Sequence, residues 1–327
     1  RIPAGHSNHP GSPLMKQSSI IGLDIGGTKT AAICGSTGGE ILWRKELPTG
    51  AARGFDQVYE EITALAEEAI STATGDVLAL SVSIGGPLDV EKGLIKGPPN
   101  LPGWVNIPLK SLLAERFRLP VYLEHDGNAG ALAEFYFGAG RGFRNIVFLT
   151  MGTGFGAGLI LDGRLYRGTT DVAGEVGHIR IAEEGPDCYG KPGSLEGYAS
   201  GTGIAKLAAM MYPDLWEGGS VVDLYQAYSS GSEPAVKVFE RAALYLGRGL
   251  ALLADLLNPE RIILGGLGMR LTDALVEPAR RTYEIEVLPA AGEVCEIVPA
   301  SLGESIGDYA SLSAAFDQGG LLRKKKT

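Results

Sequence analysis

The sequence predicts a two-lobed α/β fold in which two similar halves face a cleft. The chain has 327 residues, 45% of them hydrophobic, enough to bury one large core and more readily two. A strand that runs into a glycine turn and a second strand opens each half, near residues 20–34 and again near 145–161. Helical patterns and buried strands follow each hairpin. Duplicated α/β halves of this kind commonly place a ligand between two lobes.

The first half alternates strands with helices. Apolar runs bounded by glycine or proline predict the strands, and apolar residues at helical spacing predict the helices. The predicted strands are 20–25, 30–34, 41–47, 78–84 and 121–124, and the predicted helices are 57–72, 109–117 and 128–136.

The second half repeats the plan. Its predicted strands are 145–151, 157–161 and 261–264, and its predicted helices are 200–211, 221–229, 233–257 and 271–283. We expect a small lobe over residues 15–124, joined by a C-terminal helix over 309–320, and a large lobe over 125–308. Residues 1–14 are rich in Pro, Gly, Ser and His, and we interpret them as a disordered leader or tag that ends before Met15.

Composition excludes several classes of protein. The net charge of −9 disfavours nucleic acid, and the one basic run, Arg323–Lys326, has the character of a solvated chain end. The apolar runs are far shorter than the roughly 20 residues of a membrane span. Cys34, Cys188 and Cys295 are few and far apart, which fits a reducing compartment. We therefore expect a cytoplasmic protein that binds neither membrane nor nucleic acid.

Two glycine turns predict a polyphosphate site. Glycines let backbone N–H groups approach phosphate oxygens, and a nearby carboxylate such as that of Asp24 can hold Mg²⁺ through water. Either turn alone is also common as an ordinary hairpin, and neither has the spacing of a dinucleotide-binding fingerprint or a P-loop. The candidate phosphate-binding residues are Asp24, Gly26, Gly27, Thr28 and Lys29 in the first turn, and Gly152, Thr153, Gly154 and Gly156 in the second.

A third feature favours proton transfer at the end of the strand over 121–124. Asp126, in the run Glu124-His125-Asp126-Gly127-Asn128, follows that strand directly. A carboxylate in a cleft suits a general base that takes a proton from a hydroxyl group. The same run also fits a plain turn, so its position between the two glycine turns is what favours the catalytic interpretation.

Taken together, these segments resemble a known superfamily. The similarity is to the actin-like (ribonuclease H-like) ATPase core of actin, heat-shock chaperones and hexokinases, and it lies in DIGGTK at 24–29, GTGFGAG at 152–158 and IILGG at 262–266. The resemblance adds Gly265 and Gly266 to the candidate phosphate-binding residues. More narrowly, the glycine spacing from Met151 to His178 resembles the signature of the ROK family, and the similarity runs from Ser19 to about Leu312. The resemblance implies a kinase that passes a phosphoryl group from Mg-ATP to a hexose.

The resemblance also implies roles for individual residues. It makes Asp126 the catalytic base and implies a homodimer or homotetramer. A pyranose presents a ring of hydroxyls, so carboxylates, amides and imidazoles suit its recognition. The sugar-binding positions that match the family are Gly86, Asn100, His125, Asp126, Glu175, His178 and Glu196.

The chain departs from the family at two places. Many relatives bind zinc through a cysteine cluster, but Asp187, Tyr189 and Ser194 stand where its three cysteines are expected. One thiolate and one imidazole do not make a tetrahedral site, so we predict no structural zinc and a loop held by packing and hydrogen bonds.

His125 stands where family kinases that act on glucose have Asn. Three interpretations stay open: the imidazole serves the same sugar hydroxyl, it shifts specificity to another hexose or amino sugar, or it points into the core. Glucose is the favoured substrate, ahead of fructose, mannose, N-acetylmannosamine, glucosamine or a cyclitol. Whether polyphosphate replaces ATP as donor is left open.

Two functions of other classes compete with a kinase. The family includes repressors with a winged-helix domain before the first glycine motif, whereas eight residues separate Met15 from Asp24, so we expect an enzyme. A catalytically silent sugar sensor is the other alternative. Intact Asp24, Asp126 and glycine turns argue against it.

Overall fold

Two sheets of similar topology form the core of the molecule. A computed structural model describes residues 18–322. The expected leader at 1–14 and the basic run Arg323–Lys326 lie outside the described residues. None of the helices within 18–322 has the length and apolar character needed to cross a membrane.

The first sheet has the strand order β3-β2-β1-β4-β8. In chain order the strands of this half are β1 (Ser19–Ile25), β2 (Lys29–Ser36), β3 (Ile41–Pro48), β4 (Val77–Ile84), β5 (Leu88–Asp89), β6 (Leu94–Lys96), β7 (Val105–Ile107) and β8 (Val121–His125). Its helices are α1 (Phe55–Ser71) and α2 (Leu109–Phe117). β1 pairs antiparallel with β2 and parallel with β4, which pairs parallel with β8. The five long strands lie within two residues of their predicted bounds.

Sequence reasoning missed the small sheet β5-β6-β7. Its strands have only two or three residues, too few for a period-two pattern to be recognised. The segment that joins β6 to β7 is anchored by the buried side chains of Leu101 and Trp104. That anchoring positions Asn100 at the edge of the first lobe.

The second sheet repeats the first, with the order β11-β10-β9-β14-β15. In chain order the strands of this half are β9 (Ile146–Met151), β10 (Phe155–Leu161), β11 (Arg164–Leu165), β12 (Asp187–Cys188), β13 (Lys191–Pro192), β14 (Arg261–Leu264) and β15 (Glu296–Pro299). β12 and β13 form a separate two-stranded hairpin. The hairpin β9–β10 is antiparallel, and β14 pairs parallel with β9. These relations mirror those of β1, β2 and β4.

The helices that follow β8 are α3 (Asp126–Phe137), α4 (Leu195–Ala199), α5 (Gly201–Met211), α6 (Pro213–Trp216), α7 (Val221–Ser229), α8 (Glu233–Leu257), α9 (Leu267–Arg270), α10 (Glu277–Glu286), α11 (Pro289–Gly292) and α12 (Ile306–Asp317). α8 buries one apolar face, which includes Phe239, Leu246 and Leu250, against the second sheet and its neighbouring helices. Its amphipathic pattern is the reason that the sequence predicts it with the observed bounds.

The helix predicted over 271–283 runs in the structure from Thr272 to Glu286, and its first turn is π-helical. The structure has α9, then a π-helical turn over Thr272–Val276, and then α10. Pro278 lies at the start of α10, where its ring would clash with the carbonyl four residues earlier and where it lacks an N–H. The wider π turn accommodates the proline, because it relaxes the hydrogen-bond ladder just before it.

The C-terminal helix α12 lies against the first sheet. Leu312, Ala315 and Phe316 pack on Ile20 and Ile33, whereas Ile21 and Leu23 belong to the core that contains α1. Because successive strand residues point to opposite faces, α1 and α12 cover the two sides of one sheet. We retain 15–124 with 309–320, and 125–308, as the proposed lobes.

Candidate active site

Asp126 is the first residue of α3, directly after β8. Its Oδ1 accepts a hydrogen bond from the N–H of Gly127 at 2.7 Å. The side chain is 57% exposed, so a substrate hydroxyl can reach it. A helix N-terminus favours negative charge, so the position suits a carboxylate that acts as a general base.

His125 caps the same helix. Its Nδ1 accepts a hydrogen bond from the N–H of Gly127 at 3.3 Å, a contact that suits the tautomer with the ring proton on Nε2. A Cβ at Gly86 would lie 2.9 Å from that Nε2, so only glycine at position 86 leaves room for the ring. The imidazole is 31% exposed, so it is not enclosed in the core.

Asp24 lies at the end of β1, in a cluster of carboxylates. Burial raises its pKa to about 6, and the negative charges of Asp126 and Asp308 raise it further, while a hydrogen bond from Ser83 and the charge of Lys29 lower it. The structure therefore brings Asp24 and Asp126, from separate motifs, into electrostatic contact. Sequence reasoning missed Asp308, which no local pattern distinguishes from an ordinary residue of the first turn of α12.

The carboxylate cluster has the charge that a divalent cation would neutralise. Within residues 18–322, however, there is no group of three or more His, Cys, Asp or Glu side chains placed to hold a metal ion. Mg²⁺ commonly uses one or two carboxylates and completes its shell with water and phosphate oxygens. Asp24 as a water-mediated ligand fits that requirement, and a cage built wholly from protein does not.

The first glycine turn faces the loop that carries Asn100. A Cβ at Gly27 would lie 2.5 Å from the backbone oxygen of Asn100, and one at Gly85 would lie 3.3 Å from its Nδ2. Gly26 shares this turn, since its N–H donates to the carbonyl of Lys29 at 3.0 Å. Thr28 is exposed at the tip. The side chain of Lys29 turns outward to Glu46, with Nζ 3.4 Å from Oε2.

The second glycine turn borders the cavity that we identify as the candidate nucleotide pocket. Its volume is about 630 Å³. Gly152, Thr153 and Gly266 line it. Gly265 lies beside Phe148 and the carbonyl of Leu149, behind Gly266. Gly154 approaches Glu196 instead, and Gly156 lies within β10.

Sequence reasoning missed most of the pocket lining. The N-terminus of α5 touches the second glycine turn directly, because the N–H of Gly201 donates to the carbonyl of Gly152 at 2.8 Å. The run Ser200-Gly201-Thr202-Gly203 at the start of α5 was the one local signal available. The other lining residues come from separate segments and include Lys206, Trp216, Ser220, Leu267 and Arg270.

Three predicted sugar-binding residues lie near one another. Glu175 and His178 are exposed at the two ends of a short 3-10 turn. Glu196, half-buried on α4, accepts a hydrogen bond from the N–H of Phe155 at 2.9 Å. A Cβ at Gly177 would lie 3.3 Å from the Cβ of Glu196, which places the turn against α4. Glu196 therefore joins the candidate sugar site to the second glycine turn.

Hydrogen bonds hold the loop over residues 187–196, where the sequence predicts no structural zinc. Oδ1 of Asp187 accepts from the N–H of Gly190 at 2.9 Å, and Oγ of Ser194 accepts from the N–H of Gly197 at 3.3 Å as the cap of α4. Lys191 donates to the carbonyl of His178 at 2.7 Å. The oxygen atoms of Asp187 and Ser194 thus bond to backbone amides, and the residues present do not fit tetrahedral zinc.

Sequence reasoning also missed Glu124, which is fully buried beside His125 and Asp126. One carboxylate oxygen accepts from the N–H of His125 and from Nδ2 of Asn128, both at 3.0 Å, and the other accepts from Nη2 of Arg167 at 2.7 Å. Arg167 also donates to Asp317 at 2.7 Å. A charged residue at the end of an apolar strand was the available signal. This network orients the turn that carries His125 and Asp126.

Comparison with known proteins gives a consistent result. Residues 20–313 match the model of the ROK family. A protein named glucokinase from Halalkalibacterium halodurans is 33% identical over 309 residues, which is 90% of this chain and 93% of the relative. Proteins named as xylose repressors are also among the relatives.

Solved structures show the same likeness. A ROK hexokinase from Thermus thermophilus is 32% identical, with a TM-score of 0.80 over 92% of this chain and 99% of its own. A ROK family glucokinase from Streptomyces griseus, solved with glucose and AMPPNP, is 31% identical, with a TM-score of 0.74 over 92% of this chain and 100% of its own. The predicted two-lobed, actin-like ATPase fold is thereby confirmed.

Proposed function

Because this chain belongs to the ROK family and is similar along its length to the family's sugar kinases, we propose that it is an ATP:hexose 6-phosphotransferase acting on glucose. Asp126 would serve as general base. The observation that carries the proposal is the exposed carboxylate of Asp126 at the N-terminus of α3, close enough to Asp24 to raise its pKa.

The proposed base has the geometry its task needs. Asp126 projects from a turn whose backbone is held by the buried carboxylate of Glu124, so it stays in place while a hydroxyl proton moves to it. Proton transfer from a positioned side chain typically contributes about 10²–10⁴ in rate. Phosphoryl transfer otherwise depends mainly on positioning and electrostatic stabilisation.

The nucleotide would lie in the pocket beside the second glycine turn, with its phosphates directed towards the first. Backbone N–H groups of Gly27 and Thr153 are the proposed phosphate donors. The N–H groups of Gly26 and Gly152 shape the two turns instead, because they donate to the carbonyls of Lys29 and Gly154. Asp24 would hold Mg²⁺ through water, and the ion would neutralise charge on the phosphates. Lys206 and Arg270 add positive charge to the pocket wall.

The hexose would lie between Asn100 and Gly86 on one side and Glu175, His178 and Glu196 on the other. Carboxylates accept from sugar hydroxyls, while Nε2–H of His125 donates. Exclusion of water by lobe closure around the sugar is the expected defence against ATP hydrolysis. We further propose a cytoplasmic homodimer or homotetramer.

Two observations favour alternative functions. His125, which presents a donor where Asn is usual, favours a kinase for another sugar such as mannose, fructose, N-acetylmannosamine, glucosamine or a cyclitol. The relatives named as xylose repressors favour a non-catalytic sugar-sensing protein. Both alternatives use the same sugar site, so measured turnover separates them.

The test is ADP release with Mg-ATP across a panel of hexoses, N-acetylhexosamines and cyclitols. We expect strongest turnover on glucose, and Asp126→Asn is expected to lower kcat by at least about 10²-fold while sugar affinity by calorimetry stays within about threefold. Preference for another sugar would select the first alternative. Hexose binding without turnover in the wild type would select the sensor, and wild-type turnover in Asp126→Asn would refute the proposed base.

A further inference from the structure

Tyr189 occupies a backbone position that aromatic residues rarely take. It forms with Gly190 the two-residue turn between β12 and β13, with φ of 54° at Tyr189 and 71° at Gly190. Hairpin turns with positive φ at both central residues favour Asn, Asp or Gly. A bulky residue there is an outlier, and such strain is often retained at ligand sites.

The ring of Tyr189 lies against the candidate sugar site. Its centroid is 5.5 Å from that of the His178 ring, with 42° between the two planes. The hairpin is tied to the same residue, because Lys191 donates to the carbonyl of His178 at 2.7 Å. Tyr189 is nevertheless 72% exposed. One part of the ring therefore contacts His178 while most of its surface is free.

Two carboxylates of the candidate site lie within electrostatic reach of the Tyr189 phenol. Partial burial raises the pKa of this phenol, and the negative charges of Glu196 and Glu175 raise it further. Both carboxylates belong to the proposed sugar site. Three side chains from two segments, the 3-10 turn of Glu175 and His178 and the helix α4 of Glu196, thus lie on one side of an exposed aromatic ring.

We propose that Tyr189 is a specificity-determining residue of the sugar site, whose ring forms the wall beside His178 and contacts the bound hexose. This inference rests on the proposed function. A pyranose has C–H groups as well as hydroxyls, and covering them with an aromatic face buries apolar surface that polar side chains cannot bury. The hydroxyl at the ring edge remains available for a hydrogen bond.

The ring is expected to discriminate among hexoses. An aromatic face offers little to a hydroxyl directed at it, so two sugars that differ at one hydroxyl bury different areas against the ring. The hydrogen bonds that hold Asp187 and Ser194 leave the hairpin closed without a metal. The tip of this closed hairpin therefore carries an aromatic side chain.

Two substitutions separate the ring from the turn. Tyr189→Asn removes the ring but suits the left-handed conformation, so the hairpin is preserved. Tyr189→Phe keeps the ring and removes the hydroxyl. We would measure calorimetric affinity for the hexose that the wild type phosphorylates best, KM for Mg-ATP, the kcat/KM ratios across the hexose panel, and the melting temperature.

Tyr189→Asn is expected to weaken hexose binding about three- to tenfold and to change the kcat/KM ratios between hexoses. KM for Mg-ATP and the melting temperature should stay close to wild type, and Tyr189→Phe should recover most of the lost affinity. Wild-type affinity and wild-type ratios in Tyr189→Asn would overturn the inference. Equal losses of hexose and nucleotide affinity with a lower melting temperature would also overturn it, because they indicate a structural role.

Failure of the proposed function is recognised separately. A wild-type protein that neither binds nor phosphorylates any hexose of the panel removes the sugar site itself, and the inference about Tyr189 falls with it. If the wild type phosphorylates a hexose and the Tyr189→Asn variant keeps the same selectivity among hexoses, the proposed function stands and only the role given to Tyr189 is refuted.

Discussion

Replacing Asp24 by Asn is expected to stabilise the fold while it weakens catalysis. The Asp24 carboxyl has a pKa of about 6 instead of 3.8, first because of burial and then because of the nearby charges of Asp126 and Asp308. Asn keeps an oxygen that accepts the hydrogen bond from Ser83 and removes the negative charge. The variant therefore relieves a cost that the proposed magnesium ligand imposes on the folded state.

The sign of this stability change follows from the direction in which the pKa of Asp24 is shifted. The folded-state pKa of Asp24 lies above its ordinary value, so the folded protein binds this proton more tightly, and stability is lost as the pH rises from about 4 to about 6. A difference of about two pKa units corresponds to about 3 kcal/mol. Asp24→Asn should thus raise the free energy of unfolding by up to about 3 kcal/mol near pH 7.5 and by about 1 kcal/mol near pH 4.5.

The assay is urea unfolding of wild type and Asp24→Asn at both pH values, with a chelator present to remove divalent cations. Asp308→Asn is the matched control: Asp308 accepts a hydrogen bond from Nε of Arg44 at 2.7 Å, so removing its charge breaks an ion pair and should give no gain. Turnover by Asp24→Asn should fall steeply. An Asp24→Asn variant no more stable than wild type at neutral pH, or equally stabilised at both pH values, would refute the reasoning.

Two further predictions concern the ion pair of Arg167 with Glu124 and the hairpin β12–β13. Arg167→Met should lower the free energy of unfolding by about 3–5 kcal/mol, because it leaves the buried Glu124 carboxylate without its cation, and Arg167→Lys should lower it less. Urea unfolding measures both, and a loss below about 1 kcal/mol for Arg167→Met would contradict the role given to the pair. Chelation should leave the melting temperature unchanged and metal analysis should find far less than stoichiometric zinc, whereas a lower melting temperature after chelation would show that the hairpin holds a metal.

Local periodicity explains which elements could be predicted. The bounds of α7, α8 and β14 agree with the sequence predictions, because an apolar stripe of 3.6 residues or a short apolar run between glycines is visible without any partner. The strands of β5–β7 are too short to show a period. The helical pattern over 271–283 does not show that the turn before α10 is π-helical, a local change that accompanies Pro278.

The residues of the candidate site also differ in whether the sequence alone identifies them. Asp24, Asp126 and the glycine turns lie in contiguous motifs, so a single stretch of sequence identifies each of them as a candidate. Asp308, Arg167 and the lining of the nucleotide pocket have no such local pattern. They enter the site only because α12 and the loop after β11 return to the end of β8.

By itself the sequence determined the fold class, the two glycine turns, the family resemblance and the residues proposed for catalysis, because each depends on residues that are neighbours along the chain. Tertiary structure alone decided that Asp24 lies within electrostatic reach of Asp126, that Glu124 is buried against Arg167, and that the ring of Tyr189 rests on His178. The physical reason is that burial and charge act through space. A carboxylate acquires its pKa, and an aromatic ring its contacts, from groups that chain folding brings near from distant positions.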